Sequence, residues 1–218
     1  MNARGAARRI DPEVIRRQAE TPTTPGQGEL SAVADDYVAA FADDPVLGWL
    51  LRDDAGRPYA LRDFFNLIVQ VTRSQKAEIQ RPACGGAAAL WVRSEHLDGL
   101  GFADEARIVL TLLGACGLAR VPRALAVREA MDAHHPTDRP HDYLYFLGVR
   151  PEYQGLGVGS RLLRARTERL DAERRPAFLE TGNERTLSLY RSHGFEVIDQ
   201  YRPRGDGPQM WALWREPR

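Results

Sequence analysis

Hydrophobic residues recur along this chain with two periods. From residue 30 to 134 they return every three or four positions, as in Val33, Tyr37, Val38 and Phe41, or Leu61, Phe64, Phe65, Ile68 and Val71. That spacing gathers one apolar face on a helix. It predicts a helix capped by Ser31 and a short one opened by Asp44 and Pro45 that carries Val46, Leu47, Trp49, Leu50 and Leu51. A third helix follows over about 59–73, then two more over about 103–115 and 122–134, broken near Gly117, with a loop at 97–102 before them. Short apolar runs at 77–80 and 87–92 flank Pro82, Gly85 and Gly86 and predict a hairpin. Residues 143–149 are apolar at nearly every position, which suits a strand covered on both faces. Beyond them a helix begun at Gly155 turns Leu162, Leu163 and Leu170 inward and Arg161, Arg164, Glu168 and Asp171 outward. A strand at 177–181, a helix at 183–193 closed by Gly194, and strands at 195–201 and 208–214 complete the pattern. The fold class is α/β, with a mixed sheet centred on 143–149.

The turn after that central strand carries the first chemical signal. Pro151 ends the strand, and glycines stand at alternate positions 155, 157 and 159 just where a helix starts. The first four N–H groups of a helix have no intrahelical partner and carry the positive end of its dipole, so a turn without Cβ atoms there suits a phosphate. Spacing discriminates among nucleotide motifs. A Walker loop needs Gly-Lys-Ser/Thr, yet the only lysine is Lys76, and a dinucleotide fingerprint needs its third glycine at 160, where Ser160 stands.

The spacing Gln154, Gly155, Leu156, Gly157, Val158, Gly159, preceded by Val149 and Pro151, resembles the Gln/Arg-x-x-Gly-x-Gly/Ala signature of GNAT-type N-acetyltransferases. The likeness continues through Leu179 to Asn183 and through Leu189, Tyr190, His193, Gly194 and Phe195, in order and in register over roughly the last 75 residues. It implies a GNAT acyltransferase fold, a mixed and mostly antiparallel central sheet flanked by helices, whose central strand and the next splay apart to admit the pantetheine arm of acetyl-CoA. It also implies site residues. Leu147, Gly148 and Val149 would hold the arm and polarise the acetyl carbonyl, the turn from Gln154 to Ser160 would hold the phosphates, and Asn183 would orient the arm; Arg161 and Arg164 read equally as phosphate partners or as a solvated charged face. Tyr190 stands where the family protonates the leaving sulfur. Glu180 is the candidate base, with a plain ion pair to Arg185 as its alternative reading.

Charge and composition narrow the partners. Lys and Arg number 30 and Asp and Glu 30, giving formal net charge zero, which argues against nucleic acid and against a membrane surface. Cys84 and Cys116 have no ligand or disulfide spacing and read as free thiols of a cytoplasmic protein. The histidine-rich stretch from His134 to His141 contains two prolines and matches no recognised ligand set, so no metal is expected. Residues 1–29 mix Arg4, Arg8, Arg9, Arg16 and Arg17 with acids and a proline-rich run, and are expected to be a flexible tail before an acetyltransferase domain at 30–218. No apolar core of signal-peptide or membrane-span length is seen. The expected activity is acetyl transfer from acetyl-CoA to a primary amine of a small molecule. A protein amino group, an O-linked acceptor, and a non-catalytic CoA-binding regulatory module are the alternatives, and a homodimer is left open.

Overall fold

The computed structural model describes residues 10–73, 75–97 and 102–218, without the side chains of 102–106. Arg4, Arg8 and Arg9, and most of the loop expected at 97–102, lie outside the described residues. Six strands, β1 (Glu78–Gln80), β2 (Ala87–Arg93), β3 (Asp142–Val149), β4 (Ala177–Thr181), β5 (Glu196–Tyr201) and β6 (Met210–Arg215), form one sheet in the order β1-β2-β3-β4-β6-β5. Only β3 and β4 are parallel; the other neighbours are antiparallel. This is the mixed, mostly antiparallel sheet that the resemblance implied.

Strand alternation assigns the two faces. On β2, Ala88, Leu90 and Val92 enter one core with α2 (Leu30–Ala40), α3 (Pro45–Leu50) and α4 (Arg57–Val71). α5 (Phe102–Cys116) and α6 (Val121–His134) extend this layer. Ala87, Ala89 and Trp91 enter the opposite core with α7 (Val158–Ala172) and α8 (Leu187–Ser192). Beside the first core, Tyr143, Phe178, Tyr201, Met210 and Ala212 make a smaller cluster against Ala130 and Met131 of α6. Asp44 caps α3 by accepting from the amides of Val46 and Leu47 at 3.0 and 2.9 Å. Ser31 caps nothing; it lies inside α2, whose N-cap is Glu29. The last predicted helix is split into a 3₁₀ turn (Glu184–Thr186) and α8.

The expected tail is corrected here. Pro12–Glu20 form a helix, α1, docked on α7, with Ile15 and Ala19 fully buried. Asp11 caps it and Pro12 opens it. Its surroundings are tied down by the Ile10 amide donating to Tyr153 Oη at 2.8 Å, the Cys84 amide donating to Gln18 Oε1 at 2.6 Å, and a strand-like bridge between Thr23 and Arg81. Two buried residues are enough to seat nine, because the tethers remove much of the freedom that docking costs.

β3 and β4 are joined at one end and open at the other. Their pairing runs from Asp142 with Ala177 to Leu144 with Leu179 and stops there. At the joined end the buried Asp142 carboxylate accepts from Arg166 and Arg175, and its amide donates to the Pro176 carbonyl at 3.0 Å. The parting coincides with a bulge: Leu90 pairs with Phe146 and Trp91 with Leu144, so Tyr145 is an extra residue in β3. A bulge bends the strand that carries it and raises its twist. From Tyr145 to Val149, β3 keeps β2 on one side and, among the described residues, has no strand on the other.

Candidate active site

The open edge of β3 runs into the glycine turn. Gly155 and Gly157 have φ of 75° and 74°, a left-handed conformation that costs other residues about 1–2 kcal/mol. A Cβ on Gly155 would stand in open space, whereas one on Gly157 would lie 2.6 Å from Arg161 Nη1. Gly157 is the N-cap of α7, so no side chain caps that helix and its first amides stay available. Gln154 Nε2 donates to the Val149 carbonyl at 3.0 Å and ties the turn back to β3. Two predicted phosphate partners are already engaged. Ser160 Oγ lies 2.8 Å from His193 Nε2, and Arg161 spans the turn, with Nη1 on the Gly157 carbonyl and Nε on Glu20 of α1. Arg164 is exposed.

Behind the turn, the buried Asp36 of α2 accepts from Arg81, from Arg150 Nε at 2.7 Å and from the Gly86 amide at 3.1 Å, fixing α2, β2 and the end of β3 together. Gly148 lets α2 come close: a Cβ there would sit 2.7 Å from the Tyr37 ring. The open edge, the uncapped helix start and the glycines without Cβ atoms together fit a long, thin, phosphate-bearing ligand such as CoA.

At the end of β4, Asn183 Oδ1 accepts from the Arg185 amide, leaving its Nδ2 without a protein partner among the described residues. Tyr190 of α8 is buried, edge-on to Phe195 with ring centroids 6.1 Å apart. Burial, then the Asp44 charge, push its phenol well above the ordinary range, so it stays protonated, next to the Thr186 hydroxyl. Tyr190, with α7 and its turn, lies on one face of the sheet.

Glu180 belongs to the other face. The ion pair with Arg185 is not made; instead both carboxylate oxygens accept from tyrosine hydroxyls, Oε2 from Tyr143 at 2.9 Å and Oε1 from Tyr201. Loss of water raises its pKa to about 7, and the two hydroxyls only partly oppose this. A carboxyl that titrates near neutrality can accept a proton and return it at the same pH. Tyr143 and Tyr201 were not anticipated. Tyr143 counts as an apolar position in a strand pattern, and Tyr201 meets Glu180 only because β6 brings β5 beside it. The histidines of the 134–141 stretch are also assigned: His134 stacks on Tyr201, and His135 and His141 face each other with Nε2 atoms 3.1 Å apart. No group of three metal-ligating side chains converges among the described residues.

No single helix among the described residues is long and apolar enough to cross a membrane. A mycothiol acetyltransferase of Nocardiopsis dassonvillei is 28% identical over 207 residues, 92% of this chain and 50% of that protein. The N-alpha-acetyltransferase RimI of Mycobacterium tuberculosis is 39% identical over 112 residues, 49% of this chain and 60% of its own. The chain thus spans about half the length of the first relative. Among solved structures, an acetyltransferase of Corynebacterium glutamicum described as histone acetyltransferase HPA2 and related acetyltransferase superposes with a TM-score of 0.65 at 23% identity, over 90% of this chain and 95% of that one. A Drosophila melanogaster polyamine N acetyltransferase does so with a TM-score of 0.59 at 15% identity, over 88% and 97%. These two likenesses concern the fold. The Acetyltransferase (GNAT) family model matches residues 70–195, more than half of the sequence and the segment that contains the parted strands and the glycine turn; the chain belongs to the GNAT family.

Proposed function

We propose that the protein is an N-acetyltransferase that moves the acetyl group of acetyl-CoA directly to the primary amine of a small molecule. The observation that carries this reading is the opening between β3 and β4, with an anion cradle on one face of the sheet and a carboxyl poised near neutrality on the other. Two ligands approaching from opposite faces meet at the opening, which favours direct transfer over a covalent enzyme intermediate.

When bound, acetyl-CoA supplies a thioester-activated acetyl group. The amides at the start of α7 and the bare turn at Gly155 and Gly157 hold the phosphates, and the free edge of β3 from Leu147 to Val149, with Asn183, aligns the arm. Glu180 takes the proton of the attacking amine, directly or through a water, because only the neutral amine is a nucleophile. Tyr190 Oη delivers a proton to the departing sulfur; burial keeps the phenol in its protonated form. The mycothiol acetyltransferase aligns over nearly the whole chain, which supports a small acceptor. The higher identity of RimI over about half of it supports a second reading, a protein α-amino group.

Thiol release from acetyl-CoA with a panel of small amines and N-terminal peptides tests both. Turnover with at least one small amine and none with peptides is expected. Glu180→Gln should lower kcat by about 10²–10⁴-fold and Tyr190→Phe by roughly ten- to a thousandfold, with acetyl-CoA affinity held in both. Turnover with peptides alone would select the second reading, and full activity in both variants would remove these residues from the mechanism.

A further inference from the structure

A device around Glu180 is built from residues that the transfer reaction does not touch. His134, the last residue of α6, lies flat on Tyr201 of β5, with ring centroids 4.0 Å apart and planes 5° from parallel. Its Nδ1 is 2.6 Å from Asp199 Oδ2. Tyr201 in turn donates to Glu180. Strand β5 is distorted to allow this. Val197 pairs with Leu213 and Asp199 with Ala212, so Ile198 is an extra residue. Val197 packs on the α7 side, whereas Ala212 and Tyr201 belong to the cluster under α6. Without the extra residue, Asp199 would share the face of Val197 and could not reach His134.

We propose that His134 is a positioning residue of the acetyl transfer: anchored by Asp199 and stacked on Tyr201, it holds the tyrosine hydroxyl on Glu180 and, through its charge, sets the pH above which Glu180 is an available base. The inference rests on Glu180 being the base. A carboxylate can only accept, so the ring nitrogen facing Asp199 carries the hydrogen, and that bond holds the imidazole flat on Tyr201. The groups facing Glu180 are Tyr143 and Tyr145 from β3, Tyr201 from β5, and His134 and Asp132 from α6. Among the described residues no Arg or Lys pairs with it; protonated His134 favours its ionised form and Asp132 opposes it. His134 itself faces Asp199, Tyr201 and Glu180.

The test compares His134→Phe, which keeps a ring to stack but carries no charge, with His134→Arg, a planar and permanent cation able to stack on Tyr201 and pair with Asp199. Carbon-13 NMR of protein labelled at the glutamate carboxyl, with the Glu180 signal assigned by its loss in Glu180→Gln, follows the titration without any acceptor. The acid limb of kcat/KM, measured with acetyl-CoA and the amine accepted best in the panel, follows it in turnover. Both should move up by about half a pH unit in His134→Phe and down in His134→Arg. A merely structural role would move them together or not at all, and an unmoved Glu180 titration in both variants overturns the proposal. If Glu180→Gln abolishes turnover while the acid limb stays fixed in the His134 variants, this inference alone fails. If Glu180→Gln turns over like the wild type, the base assignment fails and takes the inference with it.

Discussion

Ile15→Ala tests whether the N-terminal helix is part of the folded unit. Ile15 is fully buried against α7 and lies so close to the start of β2 that a Cβ on Gly86 would come within 3.0 Å of its Cδ1. Truncating a core isoleucine to alanine costs about 2–5 kcal/mol, the larger values where the cavity cannot collapse. Here the loss has a ceiling, since α1 can leave its groove once the cost exceeds its docking energy. With only Ile15 and Ala19 fully buried on α1, the lower part of that range applies, about 2–3 kcal/mol. In a chain of this length each kcal/mol moves Tm by roughly 2–4 °C, so a fall of about 4–12 °C is expected. Urea unfolding followed by tryptophan fluorescence is a suitable assay, because Trp91 lies in the same cluster. A change within about 0.5 kcal/mol, the range of ordinary surface substitutions, would refute the reasoning and return residues 12–20 to the status of a tail.

Two further outcomes follow from buried charge. Asp36→Asn leaves Arg81 and Arg150 without their shared carboxylate; a loss of about 3 kcal/mol is expected, near the low end for broken buried pairs because Arg150 is partly exposed, and a Tm within error of wild type would contradict it. His135 is half-buried, and burial, then His141, lower its pKa from 6.5 to about 4. The unfolded chain therefore takes up a proton that the folded one refuses, and stability should fall as pH drops from 6.5 to 4. In His135→Gln the decline of the urea midpoint over that window should flatten; an unchanged slope would mean that His135 is not held neutral.

The parts of the proposed site that depend on local backbone were readable in the sequence. The turn from Gln154 to Gly159 works through φ angles and bare amides, which glycine spacing encodes directly, and the strand before it announced itself by composition. Glu180 was legible as a candidate base, but its environment was not, since Tyr143, Tyr201 and His134 converge from β3, β5 and α6. Both bulges were invisible: an extra Tyr145 or Ile198 looks like any other strand residue until its partner's register is known. The docked α1 is a different case. Asp11 followed by Pro12, with Ile15 and Ala19 four apart, is a legible helix start and stripe; the surrounding arginines outweighed it in the reading.

The parting of β3 from β4 gives the protein a sheet edge in its interior. Exposed edges invite any extended chain to add itself, which is why proteins shorten or charge the strands that form them. This one is guarded instead by its place, closed at Asp142 and overlaid by α2. Its unpaired backbone from Tyr145 to Val149 offers what an added strand would take up, and in the proposed reaction the taker is a slender arm with amide groups along its length and a charged head left outside at the turn. On that proposal, the identity of the donor is written into a missing row of hydrogen bonds.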